Sequence, residues 1–171
     1  MNAPNLLSIA DPICPVVATS NYKSLPHSYP GAVSISCSMP RGYSTSSVYK
    51  KLAPMGFKNA PMPEYLSRFT ALLAALDPAE VLADLQALAL RRAVQMGYPE
   101  DQAAGFPPVM LCFESPGNGP ANFCHRQLVA AWLEEHLGIE VPEVTARDGQ
   151  LKLYVPRKTK PVTEAQDALA L

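Results

Sequence analysis

The sequence predicts an α/β domain, and three observations carry that prediction. Pro108–Phe113 (PVMLCF) is a continuous apolar run, the signature of a central strand covered on both faces. Two amphipathic helical stretches between residues 64 and 97 separate it from earlier strand-like segments. Asp148-Gly149 lies between two short alternating runs and reads as the turn of a C-terminal hairpin. Together they specify a small Rossmann-like, mostly parallel sheet flanked by helices, with that hairpin at its end.

A chain of 171 residues fits one domain with a sizeable core. The balance of 48% hydrophobic to 17% charged residues is that of a globular chain and excludes intrinsic disorder. A formal net charge of -1 gives no basic field to draw in nucleic acid. Prolines cluster where helices are absent. The expected organisation is a loose segment 1–14, a single domain 15–156, and a tail 157–171 that is mobile or docks weakly through TEAQDALAL.

Residues 1–10 carry neither a basic n-region nor a long apolar stretch, so no signal peptide is expected. The longest uncharged run, Ser24 to Pro40, is rich in Ser and Pro and cannot span a bilayer. A cytoplasmic location follows as the expectation. Cys14, Cys37, Cys112 and Cys124 form no C-x-x-C pair and read as free thiols.

Pro15–Ser20 (PVVATS) is a first strand with its carboxyl-end turn. Val33–Ser38 alternates strictly, with Val33, Ile35 and Cys37 on one face and Ser34, Ser36 and Ser38 on the other. In 64–76 the positions Tyr65, Phe69, Leu72, Leu73 and Leu76 form one stripe. Asp77-Pro78-Ala79-Glu80 then signals a helix start, with Asp77 as cap and Glu80 completing a capping box. Val81, Leu82, Leu85 and Leu88 continue the buried face to Gly97. After the central strand and a Gly/Pro/Asn loop comes FCHRQLVAAWLEEHLG, a helix with Leu128, Trp132, Leu133 and Leu137 inward.

Sheets of this kind bind ligands beyond the carboxyl ends of their strands. Three segments should meet there: Thr19-Ser20-Asn21, Ser38 to Tyr43, and Glu114 to Arg126. A helix start offers unpaired N–H groups and about half a positive charge, which favours an anion and a thiolate. The expected roles are therefore Cys124 as nucleophile or polar anchor, Glu114 and His125 as proton carriers, and Arg126 and Arg41 as anion contacts. Thr19, Ser20, Ser36 and Ser38 add polar anion contacts. Cys112, inside an apolar strand, reads as a small core residue.

A zinc centre would have to use Cys112, Cys124 and His125, with Cys37 as an optional fourth ligand. That spacing matches no common knuckle, and adjacent Cys-His residues rarely share an ion, so no metal and no other cofactor is expected. P-loop, G-x-S-x-G and G-x-G-x-x-G patterns are absent.

The run Leu111–Glu114 with Phe123–Leu133 (LCFE…FCHRQLVAAWL) resembles the signature of domain of unknown function 488. So does Val33–Arg41, followed by Lys51–Pro54 and the Ala18-Thr19-Ser20 turn, over roughly residues 15–145. Cys37 stands where members often carry Arg. The resemblance implies this α/β fold and a site at the C-H-R residues, without naming a reaction. The expected function is an enzyme acting on a nucleotide, nucleobase or related phosphorylated small molecule. The alternatives are a non-catalytic module that sequesters such a ligand, and a protein-interaction domain.

Overall fold

The computed structural model describes residues 12–114 and 123–155. The expected Gly/Pro/Asn loop, the tail from 157 and most of the N-terminal segment lie outside the described residues.

The strands are β1 (Ala18–Asn21), β2 (Ala32–Ser34), β3 (Val109–Cys112), β4 (Val144–Arg147) and β5 (Gln150–Leu153). The helices are α1 (Met62–Ala74), α2 (Pro78–Gln95), α3 (Glu100–Ala103) and α4 (His125–Leu137). Among them β1, β3 and β2 form a parallel sheet in that order, with the apolar run at its centre as the sequence requires. Single parallel bridges extend it at both edges, Thr19 to Glu143 and Ser34 to Val48.

The two faces of the sheet follow the strand period. Val17, Val33, Ile35 and Met110 pack with α1, α2 and α4 in one core. Ala18, Ala32, Val109 and Leu111 pack on the other side with Tyr22, Leu25, Tyr29, Val144 and Leu151. Helices therefore build one layer, while the hairpin and the 22–29 segment build the opposite one. β2 is shorter than its alternating pattern suggested, and the chain from Ile35 onward leaves the sheet toward the site.

Asp77 caps α2 as expected, its Oδ1 accepting from Ala79 and Glu80 N–H at 2.8 and 3.1 Å. Replacing it with Ala should cost about 1 kcal/mol in chemical denaturation, the usual worth of such a cap. An unchanged midpoint would show that Pro78 alone starts the helix.

In α4 the inward stripe differs by one position. Val129, Trp132 and Leu133 are buried, whereas Leu128 and Leu137 are only partly so. The first turn rotates His125 and Arg126 inward, and that moves the stripe. The hairpin forms about Asp148 and Gly149, with φ of 54° and 75°, as a two-residue turn that needs left-handed backbone at both positions. Ile13, within the segment expected to be loose, donates its N–H to Leu151 at 2.9 Å and adds an antiparallel bridge to the hairpin. A Cβ at Gly31 would lie 2.1 Å from the Pro107 carbonyl oxygen, so only glycine lets β2 begin this close to the approach to β3.

Buried Arg92 of α2 crosses to the second layer. Its Nη1 donates to the carbonyls of Tyr29 and Pro30, and its Nη2 to those of His27 and Ser44. Four carbonyl oxygens thus converge on one guanidinium and pin the 27–30 segment. Among the described residues no helix is long and apolar enough to cross a membrane.

Candidate functional site

A cleft of about 350 Å³ opens beyond the carboxyl ends of β2 and β3. Ser36–Ser38, the 58–60 segment, Tyr65 of α1, Cys112–Glu114 and Phe123–His125 line it. Cys112 and Glu114 from the strand end and Cys124 and His125 from the helix start are therefore brought together.

Cys124 occupies the N-cap of α4 in extended backbone, φ -134° and ψ 139°, and its side chain makes no capping bond. The sulfur is left to the site. His125, the first helical residue, has its two ring nitrogens assigned by their neighbours. Nε2 lies 2.9 Å from the Ile35 carbonyl oxygen, which can only accept, so Nε2 carries a proton. In the neutral ring Nδ1 then presents a lone pair, and it faces Cys112 Sγ at 3.4 Å and Cys124 Sγ at 3.9 Å. Phe69 holds the ring edge-on at 5.4 Å between centroids.

Cys112 is only 4% exposed, yet its sulfur does more than fill the core. Its thiol also donates to Glu114 Oε2 at 3.3 Å. The reading of Cys112 as a simple core residue is thus corrected: it ends β3, where the sulfur leaves the apolar layer and reaches the cleft.

The two sulfurs are driven apart in acidity. The hydrogen bond with Cys124 pushes the Cys112 thiol up, and burial and the Cys124 and Glu114 charges add to that. Burial also acts to raise Cys124, but hydrogen bonds from Cys112 and from the imidazolium form of His125, with the charges of that imidazolium and of Arg126, outweigh it and bring Cys124 down. Burial would raise Glu114 too. Hydrogen bonds from Cys124, from its own backbone and from Cys112, with the His125 charge, instead hold it below the usual carboxylate range. Two sulfurs of opposite acidity and one carboxylate thus surround the His125 ring.

Arg126 takes a different course. It is fully buried and does not line the cleft. Its Nε donates to Glu143 at 3.2 and 3.3 Å, while Nη1 and Nη2 have no hydrogen-bond partner among the described residues. Arg126, expected as an anion contact, is thus committed to an ion pair with Glu143. Two basic residues at a helix start oppose the helix dipole. Here the Cys124 and Glu143 charges outweigh the cost of burial and raise the Arg126 affinity for its proton.

Thr19 and Ser20 lie within β1 and hold the hairpin. Thr19 Oγ1 donates to Glu143 Oε2 and Ser20 Oγ to the Val144 carbonyl, each at 2.6 Å. Neither lines the cleft, and nor does the exposed Arg41. Ser36 and Ser38 do. Ser36 Oγ is bound to the Tyr22 hydroxyl and donates to the Ser38 carbonyl at 2.7 Å. Cys37 lines the cleft as well, outside the Cys112–Cys124–His125 cluster.

No family model, curated protein or solved structure matches this chain. The likeness to domain of unknown function 488 rests on the quoted residues alone.

Several cleft residues were missed from sequence. Lys58 and Asn59 sit in an unpatterned loop, and Tyr65 was assigned wholly to the core stripe. Lys50 Nζ donates to the Ser36 and Cys37 carbonyls at 3.0 and 2.7 Å, fixing the loop that lines the cleft. The adjacency of Lys50 to the quoted 51–54 motif was the one available signal.

Proposed function

We propose that this chain is an enzyme acting on a nucleotide, a nucleobase or a related phosphorylated small molecule in the Cys124 cleft. The observation that carries the reading is the assigned His125 ring, with Nδ1 facing both cysteine sulfurs beside Glu114 on the wall of an open cleft. Both His125 nitrogens are engaged, so proton transfer with substrate falls to Glu114, while Cys124 and His125 form the chemical centre. Tyr65 and Phe123 give aromatic surface for a base, and exposed Lys58 a cation for phosphate. Arg126 and Arg41, expected to hold the anion, give way to Lys58 in this role.

The small parallel sheet is read as Rossmann-like, with the cleft at the strand ends such sheets use. The C-H-R motif is read as that of domain of unknown function 488, and the setting as cytoplasmic, where thiols stay reduced.

Calorimetry of nucleobases, nucleosides and nucleotides, with mass spectrometry of the mixtures, tests the reading. At least one member should bind and be altered. Glu114→Gln should keep that binding and lose about 100- to 10,000-fold in turnover, the usual worth of a proton-transfer group. Lys58→Ala should weaken phosphorylated ligands alone, by one to two decades, as loss of a charge-assisted contact of about 1.5–3 kcal/mol requires. Binding without alteration by the wild type would make the chain a sequestering module. Absence of all binding would end the proposal.

A further inference from the structure

We infer that Cys112, Cys124 and His125 form a binding site for a zinc-class divalent ion, with the fourth position open toward the cleft. The inference deepens the proposed function, resting on it only for the substrate, and it names what the chemical centre holds.

The case begins with distances. A tetrahedral ion with bonds of about 2.3 Å to sulfur and 2.0–2.1 Å to nitrogen separates a sulfur and a nitrogen ligand by about 3.6 Å. His125 Nδ1 lies 3.4 Å from Cys112 Sγ and 3.9 Å from Cys124 Sγ, on either side of that value. All three atoms fall within 4.8 Å of one another. An ion can therefore be seated with displacements of a few tenths of an ångström along these two edges.

The orientation of the imidazole is a second, independent feature. Zinc-bound histidines donate their other ring N–H to a carboxylate or backbone carbonyl, which fixes the tautomer and aims the lone pair. His125 Nε2 makes such a bond to the Ile35 carbonyl at 2.9 Å, and Phe69 packs against the ring. The lone pair is aimed at both sulfurs before any ion arrives. Two sulfurs and an imidazole nitrogen suit a borderline-soft ion such as zinc better than magnesium or calcium.

Adjacent Cys and His residues point away from one another inside a regular helix. Here the N-cap separates them: Cys124 is extended and His125 is helical, so their ligating atoms converge. The local break removes the objection that adjacency raised.

Three protein ligands and one open position are the pattern of a catalytic rather than a structural zinc. Cys112, Cys124 and His125 all line the cleft, so the open position faces bound substrate. Glu114 stands beside it, 3.3 Å from Cys112 Sγ through Oε2. The class of reaction is hydrolysis. A bound ion would supply the acidity that makes water a nucleophile at neutral pH, and Glu114 would be the residue placed to take up the proton of that water and return it to the leaving group of the substrate.

The experiment needs no substrate. Full-length protein stripped of metal is titrated with Zn²⁺ by calorimetry and with Co²⁺ by absorbance, where thiolate ligation gives an intense near-ultraviolet band. One ion per chain should bind and the band should appear. Cys112→Ser and Cys124→Ser should each weaken Zn²⁺ by more than about tenfold and diminish the band, with circular dichroism confirming the fold. Cys14→Ser and Cys37→Ser should change neither. No stoichiometric uptake, or a band insensitive to Cys112→Ser and Cys124→Ser, overturns the site. Turnover of any substrate by metal-free protein would also overturn it, while leaving the proposed function standing. Zinc uptake with the predicted mutant pattern upholds the site even when no nucleobase or nucleotide is altered.

Discussion

Glu143→Gln should destabilise the fold by about 3 kcal/mol, the low end of what removing one partner of a buried ion pair costs, because Arg126 is fully buried and Glu143 half-buried. Glu143 accepts from Arg126 Nε at 3.2 and 3.3 Å and from Thr19 Oγ1 at 2.6 Å, so it ties α4 to β1 at the start of the hairpin. Glutamine keeps an oxygen for Thr19 but no charge for a guanidinium that is fully buried. The cation then loses its carboxylate counter-charge, and the loss is large against a typical domain stability of about 5–15 kcal/mol. Urea denaturation of the single variant, and of Glu143→Leu combined with Arg126→Leu, makes the test. The double variant should be more stable than Glu143→Gln, because it removes the uncompensated charge. A single variant costing under about 1 kcal/mol would show that the pair contributes little.

Arg92→Met should cost about 3 kcal/mol by the same measurement. The variant fits a long flexible side chain into similar space but leaves the buried Pro30 carbonyl without a donor and removes the guanidinium from the carbonyls of His27 and Tyr29, of which Tyr29 keeps the Ala32 N–H at 3.3 Å. Each orphaned buried acceptor costs about 1–3 kcal/mol, partly offset by no longer burying a cation. Hydrogen exchange should show the loss first in the 27–30 segment, which this side chain joins to α2. Global destabilisation with unchanged protection there would place the effect in helix packing instead.

Arg92 also marks where reading the chain stops. On the helical wheel it falls among the buried positions Val81, Leu85 and Ala89, and nothing local distinguishes a buried arginine from one at the edge of the stripe. Its partners lie 48 to 65 residues away, and only the packing of layers brings them within reach. Arg126 carries the same lesson. The C-H-R run suggested three side chains serving one ligand, yet two turn to the cleft and the third turns to Glu143.

The features legible in the chain were local ones. The central strand, the Asp77 cap, the helix start at Cys124 and the Asp148-Gly149 turn each depend on a few consecutive residues and elementary backbone chemistry. The meeting of Cys112 and Glu114 with Cys124 and His125 was legible too, because one strand and the next helix share an edge of the sheet. Tertiary structure decided the rest: Lys58 and Tyr65 on the cleft wall, Thr19 and Ser20 spent on the hairpin, and the Ile35 carbonyl that aims His125. The physical reason is one of range. Capping, turn and periodicity energies are set within a few residues of chain, whereas the partner of a buried charge or ring nitrogen is set by which distant segments the closed core presses together.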